Sequence, residues 1–186
     1  DGELVSIEGQ LVYRGIDIND LIEGFVSEDR FGFEETIYLL LFGKLPDSEQ
    51  LDLIKKILVE YRGLPEGFIR EIIMKTPGKD VMNTLARGVL ALYAFDDNPD
   101  DTSLENVLRQ SLYLISNLPL IAVYSYSALL YNYRNKSLII HKPKKELSMA
   151  ENILHMLRPD NKYTKLEAQL LDLVLVLHAE HGGGNN

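Results

Sequence analysis

The residues best equipped for chemistry close the chain: His178-Ala-Glu-His181-Gly-Gly-Gly-Asn185-Asn186. Two imidazoles, a carboxylate between them and two terminal amides are set around three consecutive glycines. A histidine ring donates a hydrogen bond to a carboxylate or carbonyl, and in its protonated form adds positive charge. Glycines, having no Cβ, let the backbone approach a ligand or bend as a hinge. A phosphate loop of the Walker type is excluded, because Asn185-Asn186 stands where Lys-Ser or Lys-Thr is needed. A zinc-peptidase helix places its histidines four apart with the glutamate directly after the first; here they are three apart, Glu180 precedes the second, and the chain has no cysteine. A helix C-cap followed by a flexible tail is the alternative that the residues leave open.

These groups must be carried by the stretch before them. Leu166, Leu170, Leu171, Leu173, Val174, Val176 and Leu177 predict a helix buried on most of its circumference. If it continues through the histidines, His178 and His181 share one face at its C-terminal end, where the free carbonyls favour a protonated ring. Gly182 is placed to end it.

Upstream, Glu3 to Gly15 reads as a hairpin turning at Glu8-Gly9. After it the pattern is helical. Asp17 caps a helix over Ile18 to Phe25, and Phe33, Ile37, Leu40 and Leu41 define a second that Gly43 closes. Capping boxes stand at Asp47-Ser-Glu-Gln50, Thr102-Ser-Leu-Glu105, Ser148-Met-Ala-Glu151 and Thr164-Lys-Leu-Glu167. Pro65 suits the first turn of a short helix carrying Phe68, Ile69, Ile72 and Ile73, and Asp80 caps another. Pro119 is expected to kink or split the longest helical pattern. The fold class is all-α, with a short N-terminal β-hairpin and no boundary between domains.

The formal net charge of −9 argues against a general nucleic-acid binder. Zero cysteines exclude disulfides and thiolate chemistry and fit a cytoplasmic protein. No uninterrupted apolar run reaches the roughly 18 residues of a membrane-spanning helix. The acidic loop Asp96 to Asp101 lacks the alternation and the distal glutamate of a calcium loop. The loop Asn135 to Lys145, with Lys136, His141, Lys142, Lys144 and Lys145, has the charge to touch an anion such as coenzyme A, although exposed lysines are usually solvated surface.

Six stretches, in order, resemble citrate synthases: Val12-Tyr-Arg-Gly-Ile-Asp-Ile18, Glu34 to Pro46, Lys79-Asp-Val-Met82, Leu118 to Tyr124, Leu147 to Asn152, and Leu171 to Asn185. The resemblance implies a multi-helical large domain of a homodimer that condenses oxaloacetate with acetyl-CoA, a co-substrate, and needs no cofactor or metal. It assigns His181 and Asn185 to the oxaloacetate site, with His178 in support. It implies that residues in the region of Met82 to Ala94 pair two subunits. The family's catalytic aspartate and two histidines match positions beyond Asn186, so residues 1–186 are expected to be an incomplete large domain, inactive alone, with no catalytic residue and no small domain. A 2-methylcitrate synthase using propionyl-CoA is the near alternative within the family. A non-catalytic helical interaction module is the alternative outside it, because helix packing and capping do not depend on chemistry.

Overall fold

In the computed structural model, which describes residues 9–180, most helix ends fall where side chains satisfy them. Helix α1 (Ile18–Ser27) begins where the Asp17 carboxylate accepts the Asn19 N–H at 2.9 Å. Helix α2 (Phe33–Phe42) ends at Gly43 in a left-handed conformation. At the start of α3 (Ser48–Tyr61), the Gln50 N–H donates to Asp47 Oδ1 at 2.8 Å, and the Asp47 N–H donates to Gln50 Oε1 at 3.1 Å. Asp80 caps α4 (Val81–Leu92) by accepting from the Met82 and Asn83 amides. Helix α5 (Leu104–Arg134) starts one residue later than its capping box predicts, with Ser103 as the cap. The full Ser148–Glu151 capping box opens α6 (Met149–Leu157), and α7 covers Lys165–Leu177. Each such cap is worth about 1 kcal/mol.

Four features differ from the sequence reading. The described hairpin pairs β1 (Val12–Tyr13) with β2 (Ile16–Asp17) and turns at Arg14-Gly15, a pairing the sequence reading does not contain, while the expected turn at Glu8-Gly9 begins outside the described residues. Both turn residues have positive φ, 50° and 88°, the geometry that matches the twist of a two-residue hairpin. The strand expected at Leu4 to Ile7 lies outside the described residues. The short helix expected after Pro65 is present, but as a π-helix over Ile69–Met74 with Pro65 outside it. Pro119 does not split α5, which runs unbroken for 31 residues. In the turn before the proline, Ser116 Oγ donates to the Leu112 carbonyl at 2.8 Å and Asn117 Nδ2 to the Tyr113 carbonyl at 2.9 Å. Beyond the proline, Leu120, Ile121, Val123 and Tyr124 are buried, and their packing holds the helix through it. Finally, α7 is not buried on most of its circumference: Ala168, Asp172 and Val176 face inward, while Leu166 (64%) and Leu170 (54%) are exposed.

The chain divides into two compact units. One joins the described residues up to Leu51 with those from Lys165; the other is Asp52–Thr164. The core of the first is Tyr13, Ile18, Leu21, Phe25, Leu39 and Val176. In the second, α4 packs on α5, and at Gly88 the contact is tight enough that an added Cβ would lie 2.8 Å from Ile121 Cγ2. By length and composition α5 is apolar enough to cross a bilayer. Half of its most apolar window is buried, and it supplies Leu120, Ile121, Val123, Tyr124 and Ala128 to this core. That is the behaviour of a core helix.

Candidate functional site at the end of α7

The terminal helix is tied into its unit at both ends. In its middle, Asp172 is 2% exposed and its carboxylate accepts the Gly32 N–H at 2.7 Å and the Phe33 N–H at 3.3 Å. Those are the first free amides of α2, whose own cap residue is a glycine with no side chain to offer. A carboxylate at a helix N-terminus satisfies these donors and meets the positive end of the helix dipole. Near the start of α7, Lys165 and Gln169 both donate to Asp29. The first turn of α2 buries Glu34 and Glu35, and Arg30 forms an ion pair with Glu35.

The helix ends at Leu177, so His178 stands just past its last residue and Gly182 is not its terminator. The His178 N–H donates to the Val174 carbonyl at 3.1 Å, and ring Nδ1 lies 2.8 Å from the same oxygen. Because a carbonyl only accepts, that contact places the proton on Nδ1 and leaves Nε2 as an acceptor in the neutral ring. The His178 ring is thus oriented by its own helix, with its side chain exposed. His181 and Asn185 lie outside the described residues.

Tyr13 is the residue that sequence reasoning missed here. In the sequence it stands as one more residue of the hairpin segment Glu3 to Gly15. Its ring is 1% exposed, and its hydroxyl donates to the Val176 carbonyl at 2.7 Å. The Tyr13 hydroxyl oxygen also accepts the Glu180 N–H at 3.4 Å and lies 3.2 Å from the Glu180 carbonyl. Burial, the leading cause, pushes the phenol above its ordinary range, so it remains a neutral donor. Asp172 is a second such residue, standing in the sequence as a break in the leucine-rich stretch of α7. A lone carboxylate among leucines was the available signal, since such a group is buried only with partners.

The acidic loop is spent on internal structure, and the basic loop is held by its main chain. Asp96 accepts the Asn98 amide, Arg109 and Gln110, donors that hold its carboxyl below the usual carboxylate range. Asp100 accepts the Tyr93 hydroxyl, and Asp101 accepts from Ser103. In the basic loop, Asn152 clamps the Lys144 main chain through both its N–H (2.7 Å) and its carbonyl (2.9 Å), and Tyr124 donates to the His141 carbonyl. The side chains of Lys142, Lys144 and Lys145 point to solvent.

Comparison with known proteins agrees with this architecture. Residues 2–186 match the family described as citrate synthase, C-terminal domain. A citrate synthase of Haloferax volcanii is 33% identical over 181 residues, covering 94% of this chain and 44% of that protein. A citrate/2-methylcitrate synthase of Bacillus subtilis is 27% identical over 172 residues, covering 92% of this chain and 43% of that protein. The crystal structure of citrate synthase from Pyrobaculum aerophilum superposes with a TM-score of 0.77 at 27% identity, covering 94% of this chain and 42% of that one. The chain therefore spans less than half the length of each of these relatives.

Proposed function

Because the chain belongs to the citrate synthase family, we propose that it serves an enzyme that condenses acetyl-CoA with oxaloacetate to give citrate and free CoA. In this reading acetyl-CoA is a co-substrate, no cofactor or metal is called for, the enzyme is a cytoplasmic homodimer, and residues 1–186 supply the large-domain part that contacts oxaloacetate. His181 donates to oxaloacetate, Asn185 contributes from the glycine-rich segment, and His178 supports them. The groups that remove the methyl proton, stabilise the enol and assist attack on the ketone belong to chain matching beyond Asn186. Apart from them, these residues bind and orient without turnover, since catalysis depends on a complete preorganised constellation.

The observation that carries this reading is the family match over residues 2–186, with α7 leading directly into His178-Ala-Glu-His181-Gly-Gly-Gly-Asn185. Oxaloacetate-dependent release of CoA thiol from acetyl-CoA, measured for the complete protein and for residues 1–186 alone, tests it. Activity is expected in the first and not in the second. Silence in both withdraws the citrate reading.

A relative that bears both names, citrate and 2-methylcitrate synthase, favours one second reading, in which propionyl-CoA replaces acetyl-CoA. The two thioesters differ by one methylene, which a hydrophobic pocket discriminates only about 10- to 200-fold. Competing them in the complete protein decides which one is preferred.

A further inference from the structure

In an unbroken helix the Glu180 N–H would donate to the Val176 carbonyl, four residues back. Here the Tyr13 hydroxyl stands between them, donating to Val176 O at 2.7 Å and accepting from Glu180 N at 3.4 Å. A side chain inserted into the helical ladder in this way ends or bends the helix. The Val176 carbonyl takes its remaining bond from the Ala179 N–H at 3.2 Å, a tighter closing turn. Tyr13 comes from β1, far away in sequence, and its ring is fixed by the core of its unit. Its hydroxyl is therefore a rigid stop. It sets the position of Glu180, and the next residue in the chain is His181.

We propose that Tyr13 is a positioning residue for oxaloacetate: its hydroxyl, inserted between Val176 and Glu180, terminates α7 and fixes where the main chain hands over to His181. This rests on the reading of His181 and Asn185 as oxaloacetate contacts. Tyr13→Phe keeps the ring and its packing but removes the wedge. Without the hydroxyl, the Val176 carbonyl and the Glu180 main chain lose the group that holds them apart, and the end of α7 shifts together with the residues that lead into the site.

The test is steady-state kinetics of the complete protein. Tyr13→Phe is expected to raise KM for oxaloacetate about tenfold or more, because small misplacements of substrate-orienting groups are costly. KM for the acyl-CoA should stay within about twofold. Tyr124→Phe is the matched control. It removes the hydroxyl of another buried tyrosine, which donates to the His141 carbonyl in the other unit, and it should leave KM for oxaloacetate within about twofold. Thermal unfolding of both variants accompanies the kinetics and shows that the fold is kept. A Tyr13→Phe enzyme with wild-type KM for oxaloacetate overturns the positioning role while the citrate synthase reading stands. So does an equal rise in both variants, which marks a general loss of stability. A wild-type protein with no oxaloacetate-dependent turnover of either thioester overturns both.

Discussion

Asp172 shows how one residue can hold two distant helices. Its carboxylate accepts from Gly32, 140 positions earlier, and so supplies the cap that α2 lacks. Asp172→Ala leaves the Gly32 and Phe33 amides without that acceptor, at a cost of about 1–3 kcal/mol. Urea unfolding should show the midpoint falling with the slope unchanged. Asp172→Asn, which keeps one acceptor oxygen, should lose less. Titration provides a second handle. Burial, then Lys144 and His141, push the His155 ring below its ordinary value, while the Lys142 backbone and Glu146 act the other way. The folded state thus resists protonation of a ring that the unfolded chain protonates freely. Stability should decline as pH falls below the ordinary histidine value of about 6.5, and His155→Gln should flatten that decline in unfolding measured between pH 7 and 5. At this scale sequence reveals chemistry but not partnership. His178, His181 and Asn185 announce themselves by type and spacing. Tyr13 and Asp172 look like a strand residue and an interruption, because their partners lie 163 and 140 positions away.

Helix ends were legible because capping is local: Asp17, Asp47, Asp80 and Ser148 sit within three residues of the amides they accept. Helix faces were less so. A leucine-rich segment such as α7 presents apolar residues in every direction, and only packing chooses that Ala168, Asp172 and Val176 go inward. The same holds where α5 passes through Pro119, since the burial that offsets the lost hydrogen bond comes from residues on both sides of it. Helix α4 offers the sharpest check on packing. Its inward face is Thr84, Gly88 and Leu92, and at Gly88 the neighbour is the branched Ile121 side chain. Gly88→Ala gains helix propensity of about 1 kcal/mol but forces a methyl to within 2.8 Å of Ile121 Cγ2. Overpacking of this kind costs about 1–3 kcal/mol, so the net change in thermal unfolding should be destabilising. Pairing Gly88→Ala with Ile121→Val, which removes a different methyl, should recover little of it.

The outward side of α4 raises a question about the molecule as a whole. Opposite Thr84, Gly88 and Leu92 stand Met82, Leu90 and Tyr93, all exposed, and Leu104 at the start of α5 is 84% exposed. Leu90, at 76%, is the most exposed large apolar residue of that helix. Scattered apolar residues are ordinary on a surface, but three on one helical stripe are what a buried interface requires. This region is also the one for which the family resemblance implies subunit pairing, so the stripe supports the homodimer proposed above. The sequence shows the helix but not which side is left open, because both sides of α4 carry apolar residues. Leu90→Glu puts a charge at the middle of the stripe. In an interface that carboxylate is desolvated without a partner, at a cost of several kcal/mol, while on a free surface it is harmless. Light scattering of the complete protein at micromolar concentration should therefore give a dimer mass for the wild type and a monomer mass for Leu90→Glu, with the helical signal retained. A wild-type monomer, or a variant that remains fully dimeric, removes this face from the assembly.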